Sequence, residues 1–294
     1  MGVEDEGYPK RLKRLASPPR VIHLAGPWEH DGPIVAIVGS RDATGDGIDF
    51  TESLAAELVQ ADAAVVSGLA RGVDAAAHRG ALRAGGQTGA VLGTGLDQCY
   101  PRGQEALQDA VRSSLGLMSE VPIGTKPRPG MFAARNRIVA ALADVVVVVQ
   151  GRETSGALIT AEEARRIGVP VGAVPWDPRD PLSAAPNGLI RAHEAVLVRG
   201  VDDVLALAGA NDSPLRRSAT ARSRTMDRPA PRTKLPDPES RALAALRTKP
   251  QSLDQVAERA GLSAAAAGAA LLALELAGLA RREPGAQYRR SGGR

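Results

Sequence analysis

A chain of 294 residues with 44% hydrophobic content is long enough for one substantial α/β domain and a smaller second one. A formal charge of +4, carried mostly by arginine, suits a phosphate-binding face and a merely solvated surface about equally. The single Cys99 excludes an internal disulfide and a cysteine-cluster zinc site, no apolar run approaches the ~20 residues that span a bilayer, and no basic-then-apolar leader opens the chain, so a cytoplasmic protein without a membrane partner is expected.

Residues 1–31 read as a lead-in, with Pro9, Pro18 and Pro19 followed by a short strand candidate, Val21 to Leu24, that packs against a sheet. From 32 to 207, apolar runs alternate with helical periods. Strands are predicted over Ile34–Val38, Ala63–Ser67, Thr88–Leu92, Leu115–Ser119, Asp144–Val149 and Val169–Val174. Helices are predicted over Gly47–Gln60, Val73–Ala84, Gly103–Ser113, Met131–Leu142 and Gly156–Ile167. Strict β/α alternation implies right-handed crossovers and a mainly parallel sheet, the plan of a Rossmann-like α/β domain. The valine run from Val145 to Val149 cannot alternate between core and solvent, so that strand should be covered on both faces.

Residues 208–235 lose the apolar period and gain prolines and arginines, among them Arg216, Arg222 and Arg228, the composition of a basic flexible linker. Such a linker is either simply solvated or brushes a polyanion. From 236 to 290, helices over Pro238–Leu246, Ser252–Ala260 and Ser263–Ala277 precede a hairpin, Leu279–Arg282 with Ala286–Arg290, the pattern of a winged helix. Ser252 and Gln255 have the spacing of a capping box. The third helix offers only Ser263 and Glu275 as polar residues, a poor set for reading base edges.

Three loops of the larger domain should converge at the carboxyl edge of the sheet, where helix N-termini favour anions. They are Gly39-Ser40-Arg41, the stretch from Ser67 to Asp74 with two glycines around Arg71, and Gly151-Arg152-Glu153-Thr154-Ser155-Gly156. Together they suit a polyanion better than any one loop would. Asp74 and His78, four apart, share a helix face and are expected to pair, as a histidine oriented by a carboxylate more readily than as a catalytic dyad. Arg135 and Arg137 lie about 200° apart on a regular helix, so one of them should bind a carboxylate within the protein instead of the ligand. Phe132 is either a stacking platform or core. Cys99, with no histidine nearby, reads as loop packing and not as a nucleophile. The chain lacks a P-loop, a Gly-x-Gly-x-x-Gly turn, His-Glu-x-x-His and Gly-x-Ser-x-Gly, so the common nucleotide, zinc-hydrolase and serine-hydrolase readings fall away.

Five ordered stretches resemble the DprA (Smf) family of bacterial DNA-processing proteins: Val38 to Arg41, SGLARGVDAAAHRGAL from Ser67 to Leu82, GTGLDQCYPR from Gly93 to Arg102, SEVPIGTKPRPGMFAARNRIVAAL from Ser119 to Leu142, and SGALITAEEA from Ser155 to Ala164. The resemblance covers most of residues 8 to 200, and the C-terminal module fits the family's winged helix. It implies an extended Rossmann-like fold and a single-stranded DNA-binding, dimeric mediator, without enzymatic activity or cofactor, that protects incoming DNA and helps load the RecA recombinase in natural transformation and recombination. By the same resemblance Arg41, Ser67, Gly68, Lys126, Phe132, Arg135, Asn136, Arg137, Thr154, Ser155 and Gly156 face the ligand. Departures from the family pattern fall at Ala133, at Trp176, within 183–188 and at 193–195, which concern the last part of the groove and the dimer-forming end. The enzymatic alternative is a relative of the phosphoribohydrolases; their Pro-Gly-Gly-x-Gly-Thr signature is missing here, although Glu162 and Glu163 follow the corresponding loop.

Overall fold

Every residue from Val145 to Val149 is fully buried, as a strand with helices on both sides requires. The structure, a computed structural model, describes residues 1–209, 237–247, 251–276, 279–283 and 287–290. The chain divides into two compact units, Met1–Ala221 and Arg222–Arg294. Apart from residues 208 and 209, the predicted linker lies outside the described residues.

In the larger unit the elements follow in the order β1 (His23–Ala25), β2 (Ile34–Val38), α1 (Gly45–Gln60), β3 (Ala64–Ser67), α2 (Val73–Arg83), β4 (Thr88–Leu92), α3 (Glu105–Ser113) and β5 (Gly116–Ser119). They continue with α4 (Met131–Leu142), β6 (Val145–Val148), α5 (Gly156–Arg166), β7 (Val171–Ala173), α6 (Ala184–Arg191), β8 (Val196–Leu197) and α7 (Val201–Leu207). All six expected strands and five expected helices are present, with ends shifted by a few residues. The sheet has the order β1-β5-β4-β3-β2-β6-β7-β8, and every pairing but that of β1 with β5 is parallel.

The period of two within the strands sorts the core into two layers. Ala36, Val38, Val146 and Val148 face the layer of α4, α5 and the N-terminal segment, where Tyr8, Leu12 and Ile22 are also buried. Val35, Ile37, Val145, Val147 and Val149 face the opposite layer, with Leu54 and Leu58 of α1 and Ala77 of α2. The N-terminal segment is more than a lead-in, because β1 supplies the outer strand beside β5. A 3-10 turn over Lys10–Arg14 also ties it to the sheet: Arg11 pairs with Asp144, and Asp144 in turn accepts from the Ile34 amide at 2.9 Å.

The smaller unit holds α8 (Asp237–Ala245), β9 (Gln251–Ser252), α9 (Leu253–Ala260), α10 (Ala264–Leu276), β10 (Ala280–Glu283) and β11 (Gln287–Arg290). The hairpin of β10 and β11 is joined by β9 in an antiparallel sheet, which completes a winged helix. Its α9 opens on the capping box expected from sequence, Ser252 and Gln255 each bonding the other's amide at 3.3 and 3.0 Å. Ala242, Leu246, Val256, Leu271 and Leu274 form its core. Among the described residues no single helix is long and apolar enough to cross a membrane.

Asp74 and His78 share α2 but do not pair. In the first turn Asp74 faces back to the preceding loop, where its carboxylate accepts from the Gly68 and Ala70 amides at 3.1 and 3.3 Å. One turn on, His78 meets β4, with Nδ1 2.7 Å from Thr88 Oγ1. Spacing of four placed them on one face, and the different neighbours along that face separated them. His78 is completely buried, and burial first, then the nearby Arg135 and Arg79 charges, pulls its pKa from 6.5 to about 3. A folded-state pKa below the unfolded value means that the unfolded chain binds the proton more readily. Stability from neutral His78 is therefore fully present above 6.5 and is lost as pH falls toward about 3. We expect His78 to cost the protein about 2 kcal/mol between pH 7 and pH 5 in urea unfolding. His78→Gln should remove that loss, and comparing the two proteins separates it from Asp74, whose buried carboxyl is raised and acts in the opposite direction.

Candidate nucleic-acid interface

From β2 the chain builds outward through β3, β4 and β5, then returns across α4 to place β6 on the other side of β2. At such a reversal the loops leave the carboxyl edge in opposite directions and open a crevice. Both sides of the crevice are fixed to one another. Ser40 N donates to Gln150 O at 2.7 Å, and the Gln150 amide bonds the backbone N–H and hydroxyl of Thr44 at 3.0 and 2.9 Å. Gly39 is required at this crossing, since a Cβ would fall 2.9 Å from Gln150 O and 2.6 Å from Val73 Cγ2.

The resulting cleft of about 530 Å³ is lined by Ser40, Arg41, Phe132, Arg135, Asn136, Arg152 and the run Thr154 to Gly156, among others. Two helices begin on it. Ser155 caps α5, its hydroxyl accepting from the Ala157 amide at 3.3 Å, and α4 starts after Gly130, whose φ of 84° is left-handed. Both N-termini add partial positive charge and unpaired N–H groups. Arg41 and Arg152 are exposed and have no carboxylate partner among the described residues; Arg41 instead lies 5.7 Å from the centre of the Phe132 ring. Arg71, also exposed, reaches Asp42 only at 3.9 Å.

At the floor of the cleft Arg135 is 95% buried, with 5% relative exposure. It donates to the Val91 carbonyl at one terminal nitrogen, while its Nε has no partner. Burial, reinforced by Arg41, lowers its pKa to about 10, against the pull of Asp74 in the other direction, so it stays cationic at neutral pH. Gly68 passes directly over this guanidinium, and any side chain there would overlap both terminal nitrogens.

Of the residues assigned by resemblance, Arg41, Phe132, Arg135, Asn136, Thr154, Ser155 and Gly156 meet at the cleft, and Gly68 lines a recess beside it. Three do not. Ser67 is buried and its hydroxyl donates to Ile37 O at 2.6 Å, inside the sheet. Arg137 points away and forks onto Glu120 at 2.5 and 2.6 Å, so it is the arginine held by an internal carboxylate. Lys126 is exposed on the loop before α4, outside the lining. Half-buried Phe132 lines the cleft and belongs to neither core layer.

Arg152, which sequence reasoning left inside its loop without a role, enters the lining; its place in a glycine-hydroxyl loop after a buried strand was the available signal. Tyr100, which stacks on Phe132 with centroids 5.0 Å apart, was missed because its partner is distant in sequence. Cys99 is half-buried, and burial pushes its thiol up, as befits loop packing. The departures at Trp176 and Asn187 serve one another: the Asn187 amide bonds both backbone groups of Trp176 at 3.2 and 2.9 Å, and the indole N–H donates to Val149 O at 2.6 Å.

A doubly wound α/β domain with a cationic cleft at its switch point, followed by a winged helix, defines a class of nucleic-acid-binding protein. Residues 1–209 match the family model for DNA recombination-mediator protein A, and residues 226–286 match that of the DprA winged helix domain. Protein Smf of Synechocystis is 34% identical over 316 residues, spanning 98% of this chain and 79% of the relative. Among solved structures, DNA processing protein A from Streptococcus pneumoniae superposes with a TM-score of 0.67 at 38% identity, over 70% of this chain and 72% of that one. The Helicobacter pylori protein, whose structure gives insights into its single-stranded DNA binding mode, superposes with a TM-score of 0.62 at 31% identity, over 67% and 91%. The chain belongs to the DNA recombination-mediator protein A family.

Gly68 is not among the glycines at positive φ, so in Gly68→Ala it is the added methyl, 2.3 Å from both terminal nitrogens, that should displace the Arg135 guanidinium. We expect a loss of about 1–3 kcal/mol in denaturant unfolding, the usual cost of overpacking a rigid site.

Proposed function

We propose that this protein binds single-stranded DNA in the cleft between β2 and β6 and, as a cytoplasmic homodimer, helps load a recombinase of the RecA type onto that strand during natural transformation and recombination. The single observation that carries the binding step is the meeting of Arg41 and Arg152, both without carboxylate partners among the described residues, with two helix N-termini and an aromatic ring in one open cleft. Guanidinium and backbone N–H groups hold phosphates irrespective of sequence, and an aromatic face stacks on any base. The family's role as a recombination mediator supports the loading step, and the strand-binding mode of the Helicobacter pylori relative supports the choice of a single strand.

Binding without turnover suits the carboxylates at hand. Asp74 is turned to backbone amides and Asp42 sits exposed beside Arg71. Glu162 and Glu163, which the phosphoribohydrolase-like alternative would need, both pair with Arg166 at 3.1 and 3.0 Å.

Arg41→Ala and Arg152→Ala should each weaken binding to single-stranded oligonucleotides of every sequence and flatten the dependence of log K on log salt by about 0.7 for each phosphate no longer neutralised. Arg137→Ala should lower stability and leave that slope unchanged, because its partner is Glu120. Unchanged affinity and slope in both cleft variants, measured by fluorescence anisotropy across a salt series, would overturn the proposed groove. Equal affinity for single-stranded and duplex oligonucleotides would overturn the choice of strand.

A further inference from the structure

Gln150 is fully buried and does not line the cleft, yet three of its polar atoms hold the loop that carries Arg41. Its backbone carbonyl accepts from the Ser40 amide at 2.7 Å. In the side chain, Oε1 accepts from the Thr44 amide at 3.0 Å and Nε2 donates to Thr44 Oγ1 at 2.9 Å. Residues 41–43 therefore form a short arc between two anchors, Ser40 and Thr44, that a single residue supplies. The Thr44 anchor also opens α1, because Thr44 Oγ1 accepts from the Gly47 amide at 3.1 Å.

The position calls for an amide. Thr44 turns both an N–H donor and a hydroxyl acceptor toward residue 150, and glutamine offers an acceptor and a donor together. The first turn of α1 closes over this contact, since a Cβ at Gly47 would fall 2.2 Å from Gln150 Oε1. The loop that carries Arg152 has anchors of its own. Gly151 donates to Leu182 O at 2.7 Å and accepts from the Ala185 amide at 2.8 Å, and on the other side of Gln150 the Trp176 indole donates to Val149 O. Removing the Gln150 side chain would release Thr44 and leave the path to Arg152 tied down.

We infer, resting on the reading of the cleft as a single-stranded DNA site, that Gln150 is a positioning residue for phosphate binding: through Thr44 it sets where Arg41 meets the strand, without touching the strand itself. Arg41 is exposed and lies over the Phe132 ring, so its own side chain is held by little. A cation on a loose arc must be ordered when the ligand arrives, whereas a pinned arc has met that cost during folding. Gln150 thus belongs to the binding function although it is shut away from solvent and ligand.

A double-mutant cycle on the full chain, read by oligothymidine affinity across a salt series, tests the role. Gln150→Leu keeps most of the bulk and removes both side-chain bonds; it should weaken binding about tenfold, the loss of one hydrogen bond to a charged group. It should also flatten the dependence of log K on log salt by about 0.7. In an Arg41→Ala background the same substitution should change affinity by less than about twofold, and in an Arg152→Ala background it should cost its full factor, because effects add only for groups that act independently. Thr44→Val removes the hydroxyl anchor with Gln150 intact and should weaken binding in the same Arg41-dependent way, while Thr44→Ser, which puts the hydroxyl back, should recover it. A merely structural Gln150 would lower the urea midpoint and leave affinity and salt slope alone. That result in both Gln150→Leu and Thr44→Val, or an equal loss with and without the Arg41 guanidinium, would overturn the positioning role. Should Gln150→Leu fail to fold, Thr44→Val decides. Parent-like binding and slope in Arg41→Ala itself would overturn the groove reading, and the role of Gln150 with it.

Discussion

Pairing of β2 with β6 joins two halves of a sheet that the chain builds in opposite directions, and the interface depends on that joint. The register sets Val38 opposite Val148, so the residues that follow, Gly39 to Arg41 and Gln150 to Gly156, emerge side by side. A slip of one residue would exchange the two faces of β6 and separate the loops. Such a slip is opposed by full burial of both strands and by the bonds from Gln150 to Ser40 and Thr44. The cleft is thus a product of topology, with the loop sequences supplying its chemistry.

Arg135 shows the energetic compromise within that chemistry. Burial lowers its pKa and raises that of Asp74, although each charge favours ionisation of the other. Desolvation outweighs their attraction at both groups, so the pair is a poor source of stability and removing either member would leave an uncompensated buried charge. What the arrangement supplies is position: a guanidinium beneath Gly68, at the floor of a cleft whose outer arginines remain in solvent.

The sheet was legible because its cues are local and repeated. The valine run and the alternation of strand and helix periods both follow from burial on two faces. The glycine loops marked the cleft, since backbone must approach backbone closely at the switch point. What lay beyond the sequence depends on neighbours from other elements. Spacing allowed Asp74 and His78 to pair, yet the 68–70 loop and Thr88 claimed them separately. Helical geometry said that Arg135 and Arg137 must part, but only the position of Glu120 tells which one turns away from the cleft. The strand β8 has two residues, both exposed, and so lacks the burial pattern that would announce it. The partner of Tyr100 is 32 residues away along the chain, numbered Phe132.

Three consecutive residues of α4 hold to three different parts of the fold: Arg135 to β4 through Val91 O, Asn136 to the start of α5 through Gly156 O at 3.1 Å, and Arg137 to Glu120 and to Ser17 O at 3.2 Å. A helix moored on so many sides has little freedom left to lose when a polyanion arrives. In the proposed complex the ordering entropy of association then falls on the single strand, which is the flexible partner, and not on the protein. For such a receptor, tightening the complex further is a matter of stiffening the ligand.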